Sequence, residues 1–248
     1  MPAIYLVFSG KLLNCGMMEI PSELTLGEAL TKYGGGCPGR KHFKAVRIGG
    51  AFGKWLTPEQ TDITLDSPEF AALLKDMPEL SVHVLDDDHC MGQELVFLLQ
   101  MAAESCCGKC PVCKDTLKKL NAAAEHIPEG KGGKNAVEKL TALSERLAAS
   151  ASCAICRTAG EGALSLLKGF GDEIAAHVKK GKCPAGVCRE LISFTISDKC
   201  HGCMMCVGNC PTGAISGEAL HKHVIDQSRC IKCGKCVKSC KFRAVTRN

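Results

Sequence analysis

Eight cysteines in the C-terminal part of the chain recur with a spacing that suits iron–sulfur chemistry. Two segments thirty residues apart repeat the pattern C-x2-C-x2-C-x3-C. Three thiolates two residues apart can wrap a tight turn around three irons of a cubane cluster, and the fourth iron then takes its ligand from the other repeat. The spacing therefore predicts two [4Fe–4S] clusters of the bacterial ferredoxin type and, with them, one-electron transfer.

The exchange of fourth ligands decides which thiols share a cluster. The predicted ligands of cluster one are Cys200, Cys203, Cys206 and Cys240. Those of cluster two are Cys230, Cys233, Cys236 and Cys210. A zinc module is the alternative, but zinc prefers separated pairs of cysteines. Pro211 follows the first repeat and Lys241 the second, and a lysine beside a cluster either raises its potential, marks a docking surface or is simply solvated.

A second constellation lies near the middle of the chain. Cys107, Cys110 and Cys113 form another C-x2-C-x2-C trio, and Cys153 follows forty residues after Cys113. Spacing alone leaves three interpretations open, which are a third [4Fe–4S] cluster, a zinc site or thiols without a ligand role.

The elements that position these cysteines fall into three predicted domains. Residues 1–89 alternate short apolar runs with turns, beginning with a hairpin of residues 4–8 and 12–20. Thr25 and Glu28 form a capping-box start of a helix. We expect a small β-grasp domain here. Further strands are expected at residues 44–48 and 81–85, and a short helix at 67–75.

The rest of the chain is predicted to form a helical bundle followed by a ferredoxin domain. Over residues 90–182 apolar residues recur at three- and four-residue steps in about four segments, which indicates a four-helix bundle. Residues 183–248 begin with a strand near 191–196 and contain the cysteine repeat. The predicted fold class is α+β.

Composition limits the compartment and the partners. The chain has nineteen cysteines but no N-terminal signal-peptide pattern, and its longest apolar run is short of the ~20 residues of a membrane helix. We therefore expect a cytoplasmic protein without membrane insertion. The formal charge is +5, but three oxidised clusters with their thiolates would contribute about −6. The positive formal charge of the chain without clusters is therefore weak evidence for a nucleic-acid partner.

Five segments carry a resemblance to a known family. The chain resembles the flavin- and NADH-binding subunit of respiratory complex I and its relatives in NAD(P)-linked [FeFe]-hydrogenases and formate dehydrogenases. The segments are residues 34–39 (GGGCPG), 85–91 (LDDDHCM), 104–114 (ESCCGKCPVCK), 152–159 (SCAICRTA) and 182–188 (KCPAGVC).

The resemblance implies a soluble-ligand-binding (SLBB) β-grasp domain, a cluster-bearing bundle and a two-cluster ferredoxin domain in this order. It thereby favours a third [4Fe–4S] cluster. The family motif has one cysteine where this chain has Cys106 and Cys107, and Cys107 keeps the two-residue spacing to Cys110. The resemblance also implies a structural zinc near Cys183 and Cys188, with His223 as a third ligand; two cysteines and a surface histidine without metal are the alternative.

The remaining cysteines are expected to be small core residues. They are Cys15, Cys37, Cys90, Cys106 and Cys156. Only Cys156, which lies close to Cys153, leaves this open.

The family's glycine-rich nucleotide loop has no counterpart here, so we expect no FMN or NAD on this chain. The leading hypothesis is a non-catalytic electron-relay subunit of an anaerobic oxidoreductase, of the electron-bifurcating hydrogenase or formate dehydrogenase type. Its expected partners are a flavin- and NAD(P)-binding subunit, a [2Fe–2S] subunit, a terminal hydrogenase or dehydrogenase subunit, and soluble ferredoxin. The alternatives are an adaptor or mobile ferredoxin-like carrier and, less favoured, a redox sensor that acts on nucleic acid.

Overall fold

A computed structural model describes residues 2–75 and 80–247 of the chain. The chain divides into two compact units, Met1–Val187 and Cys188–Asn248. The first contains a sheet followed by helices, and the predicted boundary between residues 89 and 90 lies between its last strand and its first long helix. The α+β class is confirmed.

The sheet of the first unit is mixed. Its strands are β1 (Ala3–Gly10), β2 (Gly16–Pro21), β3 (Phe43–Ile48), β4 (Lys54–Leu56) and β5 (Ser81–Asp86). Their order is β2-β1-β5-β3-β4, in which β1 and β5 are parallel and the other neighbours antiparallel. A parallel pair at the centre requires a long connection between its strands, and the segment between β1 and β5 supplies it.

Two short helices accompany the sheet, α1 (Leu26–Lys32) and α2 (Pro68–Leu74). The predicted capping box is present at α1: the Glu28 backbone N–H donates to Thr25 Oγ1, and the Thr25 N–H donates to a carboxylate oxygen of Glu28. Leu26 and Leu30 of α1 are buried against the strands in one apolar core. This arrangement is the one expected of a β-grasp domain.

Four long helices follow the sheet in the described part of the chain. They are α3 (Met91–Ser105), α4 (Pro111–Ala124), α5 (Ala136–Ser150) and α6 (Ala154–Lys180). Each has one buried apolar face, as the three- and four-residue periodicity predicts. Within residues 2–75 and 80–247, no helix combines the length and the apolarity needed to cross a bilayer.

The sheet and the bundle share a core inside the first unit. Trp55 of β4 and Leu85 of β5 belong to the same buried cluster as the helices. Lys44 Nζ lies 2.6 Å from a carboxylate oxygen of Glu173, and the other oxygen accepts from the Met91 N–H at 3.0 Å. This carboxylate ties the start of α3 and one end of the sheet to α6.

The second unit repeats one small motif twice. β6 (Phe194–Ile196) pairs with β9 (Val245–Arg247), and β7 (Ile215–Ser216) pairs with β8 (Val224–Ile225), both antiparallel. One short helix follows the second cysteine of each repeat. These helices are α7 (Met205–Gly208) and α8 (Lys235–Ser239).

Two predicted strands are shorter than expected. β2 begins at Gly16 rather than at residue 12, because residues 11–15 form an extended turn in which the N–H groups of Leu13 and Asn14 donate to carbonyls of the glycine run after α1. Near residue 191 the chain forms a 3-10 turn, Arg189–Leu191, before β6 begins. Apolar runs indicate strands but do not define the ends of the hydrogen-bonded ladder.

Two glycines of α6, Gly160 and Gly171, face α5 with different amounts of free space. A Cβ at Gly160 would lie 2.7 Å from the Ala148 backbone nitrogen, whereas a Cβ at Gly171 would lie 3.5 Å from a Val137 methyl. Alanine in a helix is favoured over glycine by about 1 kcal/mol. We expect Gly171→Ala to raise the apparent melting temperature, and Gly160→Ala to lower it through overpacking that costs about 1–3 kcal/mol. Equal stability of the two variants in thermal unfolding of the cluster-loaded chain would contradict this packing.

Candidate iron–sulfur and metal sites

The cysteine loops of the second unit are shaped by left-handed backbone. In both repeats, the residues before and after the second cysteine have positive φ. They are Gly202 and Met204 in the first repeat, and Lys232 and Gly234 in the second. Left-handed backbone is unfavourable for a residue that has a side chain, such as methionine. Each loop nevertheless contains one non-glycine residue in this conformation. The conformation turns three successive cysteines toward one centre.

Two small cavities lie inside these loops. One is lined by Cys200, Cys203, Cys206 and Cys240. The other is lined by Cys210, Cys230, Cys233 and Cys236. The structure thus brings together the two sets of thiols that the spacing predicts, each with its fourth member from the other repeat.

Backbone N–H groups point at the sulfurs. The N–H of Ala214 donates to Cys210 Sγ and the N–H of Ala244 to Cys240 Sγ, both at 3.3 Å. Burial acts to raise the pKa of these two thiols, but the backbone donors outweigh it and the pKa of each is lowered. Cys206 and Cys236 lie deeper, and burial raises their pKa. The donor set fits two thiolate-bound clusters, which need both negative sulfur and dry surroundings.

The thiols of the bundle lie at helix starts. Cys110 is the N-cap residue of α4 and Cys153 that of α6, while Cys113 is fully buried one turn into α4. Exposed N–H groups and the positive end of the helix dipole favour a thiolate at such positions. Hydrogen bonds from backbone groups, that of Ser152 first, lower the pKa of Cys110 to about 6. The backbone N–H of Cys156 has the largest effect in lowering the pKa of Cys153.

Cys107 and two further cysteines complete the surroundings of this group. Cys107 is exposed, and its backbone N–H donates to the Cys153 sulfur. Cys156, one turn into α6, is fully buried, and its thiol contacts those of Cys106, Cys113 and Cys153. Burial is the largest cause of its raised pKa. The structure therefore gathers the thiols of Cys110, Cys113 and Cys153 with those of Cys106 and Cys156, whereas only the backbone of the fourth predicted ligand, Cys107, contacts this group.

A separate group of metal-binding side chains lies at the C-terminal end of α6. The sulfur and imidazole atoms of Cys90, His177, Cys183 and Cys188 all lie within 4.8 Å of one another, and all four residues are buried. Cys188 directly follows the last residue of the first unit. Three thiols and one imidazole at such distances match the ligand types and approximate size of a tetrahedral zinc site, in which sulfurs are about 3.8 Å apart.

The ring of His177 is oriented by its own helix. Nδ1 lies 2.8 Å from the Glu173 carbonyl oxygen, to which it donates, and Nε2 lies 3.1 Å from Cys90 Sγ. A backbone carbonyl that takes the Nδ1 proton leaves Nε2 available to a metal. Burial acts to lower the pKa of His177, but hydrogen bonds with Cys183 and Cys90 outweigh it and raise the pKa to about 10.

The structure does not bring His223 to Cys183 and Cys188. Its imidazole is buried in the second unit, where Nδ1 lies 3.6 Å from Cys200 Sγ and Nε2 lies 3.1 Å from Met204 Sδ. The residues that accompany the two cysteines are His177 and Cys90, and for the latter the sequence predicts only a core position. The pattern H-x5-C-x4-C from His177 to Cys188 is a signal in the sequence that could have found the histidine.

Two family models match the chain where these thiols lie. The NADH-ubiquinone oxidoreductase-F iron-sulfur binding region matches residues 93–177, and the 4Fe-4S dicluster domain matches residues 199–244. The predicted cluster cysteines of the bundle lie in the first match, and those of the ferredoxin repeat in the second. Cys90, Cys183 and Cys188 lie outside both.

Curated relatives extend the similarity over nearly the whole chain. The NADP-reducing hydrogenase subunit HndC of Solidesulfovibrio fructosivorans is 38% identical over 96% of this chain and 49% of its own length. The F 2 subunit of the NADH-quinone oxidoreductase of Rhizobium meliloti is 28% identical over 74% of this chain and 43% of its own length. This chain is their homologue. It spans about half the length of these relatives.

A solved structure shows the same fold at lower identity. The NAD+-reducing [NiFe]-hydrogenase in the H2-reduced state matches with a TM-score of 0.58 and 22% identity, over 71% of this chain and 29% of that one. The domains and the homology make this chain an iron–sulfur protein of the electron-transfer class.

Proposed function

We propose that this chain is the iron–sulfur relay subunit of an NAD(P)-linked oxidoreductase complex and holds three [4Fe–4S] clusters. The observation that carries the proposal is the gathering of three thiol groups, two in matched cavities and one at the helix starts of the bundle. A [4Fe–4S] cluster accepts and releases one electron at a time. No acid–base or nucleophilic chemistry is needed from the chain for this task.

The residues of the chain supply what such clusters require. The N-terminal ends of α4 and α6 favour negative sulfur at Cys110 and Cys153, and the backbone N–H groups of Ala214 and Ala244 do so at the second and first ferredoxin cavities. Buried apolar side chains pack against the inner thiols of all three groups, and one predicted ligand of each group, Cys107, Cys203 or Cys233, is exposed. Apolar packing and fixed donors favour a small reorganisation on electron transfer.

The relatives support the choice of assembly. One is named a subunit of an NADP-reducing hydrogenase and another a subunit of an NADH-quinone oxidoreductase. We propose that a partner chain holds the flavin and the nicotinamide nucleotide, and that a [2Fe–2S] subunit, a terminal hydrogenase or dehydrogenase subunit, and soluble ferredoxin are further partners. Stable co-purification with a flavin-binding chain is the expected result, and a free monomer would favour a mobile carrier.

The proposed third cluster is tested at Cys153, the predicted ligand that lies farthest from the others in the sequence. We expect anaerobically prepared Cys153→Ser to lower the iron content from about twelve to about eight atoms per chain, because a [4Fe–4S] cluster needs four thiolates. Cys15→Ser, at an exposed cysteine, is the matched control and retains all iron. A Cys153→Ser chain with undiminished iron would contradict the ligand set, and Cys156→Ser measured alongside would show whether the neighbouring thiol binds instead.

We further propose that Cys90, His177, Cys183 and Cys188 hold one structural zinc ion. Four protein ligands without an open position are typical of zinc that stabilises a fold rather than one that reacts. The zinc would join the start of α3, the end of α6 and the loop that follows it.

Metal content tests this ligand set. Cys90→Ser is expected to lower zinc from about one ion per chain to a small fraction, to leave iron unchanged, and to reduce the apparent melting temperature. Cys37→Ser, a control outside the group, is expected to change neither metal. Full zinc in Cys90→Ser, or an equal loss of iron and zinc, would contradict the proposal.

A further inference from the structure

The buried imidazole of His223 belongs to neither the predicted zinc group nor the cysteine repeats. It is 1% exposed and lies against the cavity lined by Cys200, Cys203, Cys206 and Cys240. A buried polar ring requires partners, because an unsatisfied one costs free energy. The partners here are both sulfur atoms, Cys200 Sγ at 3.6 Å from Nδ1 and Met204 Sδ at 3.1 Å from Nε2.

The position of the ring is tightly defined by its surroundings. A Cβ at Gly217 would lie 2.6 Å from the imidazole Cδ2, so only glycine leaves room for the ring there. Met204, which holds the other side, has a left-handed backbone with φ of 62°. An unfavourable conformation at a methionine persists only where surrounding contacts hold it.

The chemistry of the two acceptors determines which ring nitrogen of His223 carries the proton. Cys200 bound to iron is a thiolate, which accepts hydrogen bonds and has no proton to donate. The thioether of Met204 is only a weak acceptor. The stronger acceptor takes the proton, so in the cluster-loaded protein Nδ1–H donates to Cys200 Sγ.

The other cavity offers an internal comparison. Phe194 precedes Ile196 by two residues as His223 precedes Ile225, and the two isoleucines occupy matching places in the paired strands. Phe194 lines the second cavity and His223 the first. A Cβ at Gly234 would meet the Phe194 ring at 3.8 Å, which matches the contact of Met204 with His223. The repeat therefore places an apolar ring in one cavity where it places a hydrogen-bond donor in the other.

We propose that His223 is a positioning residue that raises the reduction potential of the cluster bound by Cys200. The second cluster receives no such hydrogen bond at the equivalent place, because Phe194 has no donor. Hydrogen bonds to cluster sulfurs stabilise the more negative reduced state. The second cavity has a backbone donor of its own, from the Lys232 N–H to Cys230 Sγ at 3.4 Å. The proposal therefore concerns the contribution of one side chain and not the order of the two potentials.

The proposal rests on cluster assembly in both ferredoxin cavities, which iron analysis and Mössbauer spectra of each sample test separately. His223→Asn and His223→Leu are a matched pair, because the two side chains have similar shape and only asparagine can donate near the Nδ1 position. The readout is an EPR-monitored redox titration of the full reconstituted chain, with paramagnetic NMR of the cysteine β-CH2 protons to assign each cluster.

We expect His223→Leu to shift the potential of the Cys200 cluster to more negative values, His223→Asn to stay closer to the unsubstituted chain, and the second cluster to be unchanged in both. His221→Leu, at an exposed histidine nearby, is the control without a shift. Equal potentials for the asparagine and leucine chains, or equal shifts of both clusters, would overturn the proposal.

A reciprocal variant decides the matter if both His223 variants lose the first cluster. Phe194→His places a donor in the second cavity, and we expect it to raise the potential of the second cluster alone. An unchanged potential with full iron would overturn the proposal. Incomplete iron in the unsubstituted chain would instead count against the proposed cluster set.

Discussion

The structure depends on holding negatively charged sulfur in surroundings that are partly shielded from water. A buried thiolate is unfavourable unless hydrogen-bond donors or cations compensate its charge. In the bundle, the compensation comes from the first turns of α4 and α6, at which Cys110 and Cys153 are N-cap residues. In the second unit, it comes from single backbone N–H groups that close tight loops around the sulfur atoms.

This constraint explains why many segments of the chain serve mainly to position cysteines. The left-handed residues around the second cysteine of each repeat have no role in a hydrophobic core, yet they turn three thiols inward. The long α6, which is kinked at Phe170, has Cys153 as its N-cap residue, Cys156 in its first turn and His177 near its other end. Its contacts with the sheet through Glu173 and Lys44 keep the start of α3, and hence Cys90, in place.

The ferredoxin sites could be predicted from the sequence because most of their ligands are local. Three thiols in seven residues define their own geometry, and the repeat supplies the fourth. The α+β class and the capping box at Thr25 were likewise predictable from periodicity and short-range hydrogen bonding. The bundle cysteines needed family resemblance as well, since spacing alone allowed zinc or idle thiols.

The group at the end of α6 could not be derived in the same way. Cys90 and His177 are eighty-seven residues apart, and only the packing of α3 against α6 brings them together. The family resemblance suggested His223 as a ligand, but in the structure its imidazole lies against Cys200 instead. Long-range convergence is a property of the packed fold, which short-range patterns do not report.

The most direct test of the central claim is the cluster inventory of the full chain after anaerobic reconstitution. Mössbauer spectroscopy with iron and sulfide analysis counts clusters and identifies their type without reference to any partner. Three [4Fe–4S] clusters require about twelve irons per chain, and all of this iron is expected in clusters of that type. About eight irons would remove the bundle cluster, and iron in any other form would contradict the assignment of these thiols.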